Sequence, residues 1–130
     1  MQIHQFVHTL QYGDAISGEA LVLKRLLGKK CSSSEIYSIN THYKLKGQTR
    51  DYKNFLSDVQ GAEDVVLILH YSIGSPLNDI FREAKGIKKV LIYHNLTPPK
   101  WFRAYNTRVY EDLVQGTKEL PELLSHADVV

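Results

Sequence analysis

The sequence predicts an α/β fold, a Rossmann-like three-layer arrangement built on a parallel sheet. Residues 64–69 and 89–93 are short apolar runs rich in β-branched residues, which is typical of strands buried on both faces. Segments with apolar residues at helical spacing separate these runs from each other and from the N-terminal strand. Because strands that alternate with helices form parallel sheets through right-handed crossovers, we expect one sheet with helices packed on it.

Length and composition indicate one domain spanning residues 1–130. The hydrophobic content of 43% allows a core and argues against disorder. One cysteine, Cys31, excludes an internal disulfide and a multi-cysteine metal site. The sequence has no apolar run of roughly 20 residues and no signal-peptide pattern, so we expect a cytoplasmic protein. The net charge of +2 gives no reason to expect a nucleic-acid partner, and basic residues between 85 and 108 suggest at most weak attraction to the inner membrane face.

The first half of the chain predicts two strands and two helices. The predicted elements are a strand at 3–9, a helix at 17–29, a strand at 35–39, a loop at 40–49 and a short helix at 52–59. The polar residues His4, Gln5 and His8 make the first strand less apolar than a central strand should be.

The second half continues the alternation of strand and helix. The predicted elements are a strand at 64–69, a helix opened by Ser75 and Pro76, a strand at 89–93, a short helical turn from 97 and a helix at 109–126. Pro121 should kink or divide the last helix. The inner face of that helix is expected to contain Leu113, Gly116, Leu120, Leu123, Leu124 and Ala127. Residues 128–130 repeat the Asp-Val-Val of 64–66, which predicts the start of another strand and a chain that is a fragment of something longer.

Polar residues follow three of the predicted strands, at the edge where open α/β sheets bind ligands. Gly13 would let a ligand approach the backbone, and the helix start after it favours an anion. His70 and His94 could act as acid and base or bond a sugar hydroxyl or a departing phosphate. The candidate residues at these strand ends are Gly13, Asp14, His70, Ser72, His94, Asn95 and Thr97.

Several common sites are missing from the sequence. It lacks a phosphate-binding P-loop, a three-glycine dinucleotide motif, a His-Glu-x-x-His zinc motif and a Gly-x-Ser-x-Gly nucleophile elbow. An aromatic group remains at Trp101, Phe102 and Tyr105. It could form a shelf for a sugar or lipid, or it could belong to the core.

Three segments occur in order at the predicted strand ends: Tyr-Gly-Asp-Ala-Ile at 12–16, His-Tyr-Ser-Ile-Gly-Ser at 70–75 and Leu-Ile-Tyr-His-Asn-Leu-Thr-Pro-Pro at 91–99. Together they resemble the N-terminal lobe of group 1 (family 4) retaining glycosyltransferases of the GT-B architecture. The resemblance implies an incomplete N-terminal, acceptor-binding domain from an enzyme of polysaccharide biosynthesis. Such hexosyltransferases move a sugar from a nucleotide-sugar donor to a sugar or lipid acceptor with retention, without a cofactor and usually without a metal.

The resemblance also implies roles for the candidate residues. Gly13 would lie near the donor diphosphate with Asp14 beside it, and His70 and His94 would be catalytic residues near the transferred sugar. The implied substrate contacts are Ser72, Asn95 and Thr97. A missing C-terminal lobe would supply the basic pair that stabilises the leaving diphosphate. The chain departs from the family where many members have two glycines in the first loop, because Tyr12 precedes a single glycine here.

Two other functions stay open. The chain could be a stand-alone Rossmann-like module that binds a nucleotide, a phosphosugar or a protein. It could also be an unrelated α/β hydrolase that uses His70 and His94 as acid and base. If it is an isolated lobe, we expect no transferase activity from the chain alone, and self-association through the exposed sheet edge near residues 129–130.

Overall fold

The computed structural model describes residues 1–94 and 98–130. Its helices and strands are, in chain order, β1 (Gln2–Leu10), α1 (Ala15–Leu27), β2 (Ile36–Thr41), β3 (Thr49–Asp51), α2 (Phe55–Asp58), β4 (Val65–Tyr71), α3 (Pro76–Glu83), β5 (Lys88–Tyr93) and α4 (Thr107–His126). The five strands are all parallel and lie in the order β3-β2-β1-β4-β5, with β1 at the centre. The predicted α/β, Rossmann-like fold is confirmed.

Apolar side chains cover both faces of the central strand, which gives the three layers. On one face, strand residues pack with α2, α3 and α4 around Phe6, Phe55, Leu69, Leu77, Phe81, Leu91 and Leu123. On the other face, a smaller cluster joins β1 and β2 to α1 through Val7, Leu10, Ala20 and Ile36. Because burial of a large apolar side chain contributes about 1.5–3 kcal/mol, the larger cluster is the main source of stability.

Three strands differ from the predictions. β2 ends at Thr41, two residues beyond its predicted end. β4 continues two residues beyond the predicted end, because His70 and Tyr71 still pair with Ile92 and Tyr93 of β5. His70 is therefore a strand residue and not the first residue of a loop. β3 was not predicted: it begins at the last residue of the predicted loop at 40–49, and its three polar residues carry no strand pattern and are ordered by pairing with β2.

The last helix also differs from its prediction. Pro121 was predicted to kink or divide this helix, and it does not divide it, because α4 is one helix of 20 residues that includes the proline. A proline removes only one backbone hydrogen bond. Buried residues on both sides of Pro121, namely Leu113, Gly116 and Leu123, keep the helix packed on the sheet. Leu124 is 39% exposed and lies outside the inner face where it was predicted. No helix in residues 1–94 and 98–130 is both long and apolar enough to cross a membrane.

The starts of α3 and of the terminal segment agree with the sequence patterns. The Ser75 hydroxyl accepts a hydrogen bond from the Leu77 amide at 3.3 Å, and Pro76 is the first helical residue. Val129 forms a parallel bridge with Val90 beside β5. The repeated Asp-Val-Val pattern therefore marks strand-like pairing at both of its positions.

Two glycines allow α4 to pack closely against the loop that follows β4. The Gly74 amide donates to the Asp112 carbonyl at 2.9 Å, and a Cβ on Gly116 would lie 2.7 Å from the Gly74 nitrogen. The Tyr71 hydroxyl donates to the Gly116 carbonyl in the same contact. Any side chain at these glycines would push two backbone segments apart.

We therefore predict that Gly116→Ala lowers the free energy of unfolding by about 2 kcal/mol, because overpacking of this backbone contact forces a shift. Gly18→Ala is the matched control, since a Cβ there meets nothing within 4 Å. That control should stabilise helix α1 by about 0.5–1 kcal/mol. Urea unfolding of the three proteins measures both effects, and equal midpoints for Gly116→Ala and wild type would contradict the packing argument.

Candidate functional site

The register of the parallel sheet places three polar side chains in a diagonal row that runs from the centre of the sheet to its carboxyl edge. Gln5 of β1 lies opposite Ile68, two residues before His70 on β4. His70 in turn lies opposite Ile92, two residues before His94. Because residues two apart on a strand point to the same face, Gln5, His70 and His94 share one side of the sheet.

Hydrogen bonds join this row into a continuous chain. Gln5 Oε1 lies 2.7 Å from His70 Nε2, and His70 Nδ1 lies 3.0 Å from His94 Nε2. Gln5 Nε2 donates to the Ala20 carbonyl of α1 at 3.0 Å. The side chains of Gln5 and His70 are 0% and 3% exposed, so their polar atoms need these partners. We call Gln5, His70 and His94 the histidine relay.

Burial controls the charge of the inner histidine. Burial, together with a smaller effect of the nearby His94, lowers the pKa of His70 to about 4. His70 is therefore neutral at neutral pH. The outer histidine is only half-buried, and its backbone amide donates to the Tyr71 carbonyl at 3.0 Å, which holds His94 at the end of β5.

An open pocket of about 230 Å³ lies beside the relay. Its walls come from β1, the β1–α1 loop and the end of β4, through Val7, His8, Thr9, Gln11, Asp14, Ile16, His70, Ser72 and Ile73. The polar groups of these residues are hydroxyls, an amide, imidazoles and one carboxylate. No lysine or arginine lines the pocket within the part of the chain that the structure describes. Such a lining suits an uncharged, hydroxyl-rich ligand.

The start of α1 is occupied by the side chain of Asp14. Its carboxylate accepts from the Ser17 amide at 3.0 Å and from the Ser17 hydroxyl at 2.9 Å, which caps the helix. Gly13 before it has φ +81°, a value that favours glycine. The cap brings negative charge to the position where a phosphate was expected. The donor contacts of Gly13 and Asp14 stay predictions.

His8 lines the pocket although it was not among the candidate residues predicted at the strand ends. Its Nδ1 lies 2.8 Å from the Ser75 hydroxyl, and burial lowers its pKa. The sequence did contain a signal for this: His8 is the third residue from the end of β1, and side chains near a strand end can reach the edge of the sheet. His4 makes a structural contact, since its Nδ1 accepts from the Glu35 amide at 3.1 Å.

The remaining candidates divide into three groups. Ser72 lines the pocket, in agreement with its predicted location. Asn95 and Thr97 lie outside the described residues, and their substrate contacts stay predictions. The aromatic group is not part of the core, because Trp101 is 62% and Tyr105 is 87% exposed.

Residues 1–94 and 98–130 contain no group of three or more histidine, cysteine, aspartate or glutamate side chains that could hold a metal ion. No protein-family model, curated protein or solved structure matches the chain.

We predict that acidification destabilises the fold through His70. Its pKa is about 4 in the folded chain and near 6.5 when unfolded. Between these pH values the unfolded state binds the proton more readily than the folded state does. The contribution of His70 to the free energy of unfolding is therefore present above pH 6.5 and is lost as the pH falls. From pH 7 to pH 5 this group should lower the free energy of unfolding by about 2 kcal/mol.

Urea unfolding of wild type and His70→Asn at both pH values isolates this effect. The pKa values of His4 and His8 are also lowered, but both residues remain in both proteins and their contributions cancel. His126→Asn, at an exposed position of α4, is the control for loss of a histidine. If wild type and His70→Asn lose the same stability on acidification, His70 does not titrate as described.

Proposed function

We propose that this chain is the acceptor-binding lobe of a retaining glycosyltransferase, which transfers a sugar from a nucleotide-sugar donor to a sugar or lipid acceptor. The observation that supports it best is the pocket beside the histidine relay, with its nearly uncharged polar lining. Sugar hydroxyls both donate and accept hydrogen bonds, as do the hydroxyl, amide and imidazole groups there. The volume of about 230 Å³ is below the roughly 300–1,000 Å³ typical of drug-sized ligands, so a single sugar ring fits better than a whole nucleotide sugar.

His70 lines the pocket, and His94, which lies next to it at the sheet edge, is the residue of the relay that would offer the sugar a hydrogen bond. It is half-exposed at the sheet edge, whereas both ring nitrogens of His70 already have partners in Gln5 and His94. In the pocket His70 would therefore contribute packing contacts, and it would act on a sugar hydroxyl only through His94. An imidazole can donate to or accept from a hydroxyl, which suits it to orient the acceptor or the transferred sugar.

The charges of the pocket support an acceptor role over a donor role. A departing diphosphate needs positive charge in a closed, dry cleft. The described pocket lining has no cationic side chain and includes Asp14. By this proposal a second lobe faces the edge and supplies that charge, and the 130-residue chain alone has no measurable transferase activity.

We predict that methyl hexosides bind the isolated chain and shift the backbone amide resonances of Thr9, Gln11 and Ser72. His94→Ala should weaken the binding about tenfold, which corresponds to the loss of one hydrogen bond of about 1.4 kcal/mol. Titration of the isotope-labelled protein, followed by NMR, measures both. His126→Ala is the matched control, because this histidine lies on the exposed end of α4 and should leave binding unchanged.

Inorganic phosphate and a nucleoside monophosphate form the second arm of this titration. Pocket shifts with these anions and none with any hexoside would overturn the proposal in favour of the stand-alone nucleotide or phosphosugar module. Hexoside binding that His94→Ala does not weaken would remove the relay from the site. Sugar transfer by the purified chain would contradict the need for a second lobe.

A further inference from the structure

We infer that Gln5 is a positioning residue, which acts through His70 to determine the nitrogen of His94 that carries a proton. Gln5 touches no solvent and does not line the pocket, so it cannot contact a ligand directly. The proton assignment follows from the hydrogen bonds of the relay. Only the use of the resulting nitrogen by a sugar hydroxyl rests on the proposed function.

The first step is the orientation of the Gln5 amide. The Ala20 carbonyl can only accept a hydrogen bond, so the group 3.0 Å from it must be the NH₂ of Gln5. The oxygen of the amide therefore faces His70 at 2.7 Å. Because that oxygen is also only an acceptor, His70 must carry a proton on Nε2.

The second step determines which nitrogen of His94 carries the proton. His70 is buried and neutral, so a proton on Nε2 leaves Nδ1 as an acceptor. The nitrogen 3.0 Å away, Nε2 of His94, must then be the donor. The ring planes differ by 17° and the ring centroids are 5.3 Å apart, which places the rings edge to edge with the hydrogen bond near both planes.

The result is a defined tautomer for His94. When His94 is neutral, its one proton lies on Nε2 and is held by His70, and Nδ1 is the basic nitrogen. A protonated His94 would add its second proton at Nδ1. By the proposed function, Nδ1 accepts a hydrogen bond from a sugar hydroxyl, or donates one after protonation. The relay thus keeps the tautomer of His94 constant while its outer nitrogen reacts.

NMR of the ring nitrogens of the wild-type chain tests the assignment without any ligand. We expect protons on Nε2 of both His70 and His94 and none on Nδ1 of His70. We also expect a scalar coupling across the hydrogen bond between His94 Nε2 and His70 Nδ1. A proton found on His70 Nδ1 would overturn the inference, and this measurement does not depend on any variant being folded.

Gln5→Met tests whether Gln5 imposes the tautomer. This change keeps the length of the side chain and removes the acceptor for His70 Nε2–H, so both histidines should exchange between tautomers. Their ring-nitrogen resonances should then move to intermediate positions, with loss of the coupling. Gln2→Met is the matched control, because Gln2 is also on β1 and its Oε1 lies 2.9 Å from a different histidine, His4. The control should leave the resonances of His70 and His94 unchanged.

Wild-type tautomers in folded Gln5→Met would show that Gln5 only fills space. The two proposals fail separately. Absence of hexoside binding in a protein with the expected tautomers contradicts the proposed function alone. Hexoside binding in a protein with a proton on His70 Nδ1 contradicts the role of Gln5 alone.

Discussion

The carboxamide of Gln5 lies at the centre of the sheet with no exposure to solvent, and both of its polar atoms have to be satisfied there. A buried polar group without a partner costs about 1–3 kcal/mol. Its NH₂ group bonds the Ala20 carbonyl and its oxygen bonds His70, so the same side chain connects β1 to α1 and to β4. Any shift of α1 or any slip of strand register would break one of these bonds. The position of the site is therefore tied to the packing of the fold.

Parallel pairing extends this constraint to the sheet edge. Gln5 lies opposite Ile68, and His70 is two residues further along β4. His70 lies opposite Ile92, and His94 is two residues further along the chain. The row consequently moves from the buried centre at Gln5 to the half-exposed end at His94. The inner histidine is desolvated and neutral, and the outer one can reach a ligand. The diagonal arrangement on a parallel sheet therefore places two residues of the same type, His70 and His94, in different environments.

Sequence patterns predicted the layers of this fold because apolar periodicity reports burial. They also predicted the start of α3, where Ser75 and Pro76 act through local backbone chemistry. They missed β3, whose three polar residues are ordered by pairing with β2. They placed His70 in a loop, because a histidine ends an apolar run although backbone pairing with β5 continues through it.

The relay itself was only partly visible in the sequence. The two histidines stood out at the ends of apolar runs, but the partner of His70 is 65 residues away in sequence, and its distance in space depends on the order of the strands. A signal did exist: Gln5 is a polar residue in a strand that the topology places at the centre of the sheet. A buried polar residue in such a strand requires a specific partner, and the search for that partner leads to His70.

The electrostatics of the edge connect the relay to the chemistry proposed for it. Asp14 supplies the cap that α1 needs, and in doing so it brings a negative charge to the helix start where an anion could otherwise bind. The inner histidine adds no positive charge at neutral pH, since burial holds its pKa near 4. The pocket therefore offers directional hydrogen bonds and little net attraction for phosphate. A site of this kind can orient a hydroxyl. Under the proposed function, the charge that stabilises a departing diphosphate would come from a second lobe.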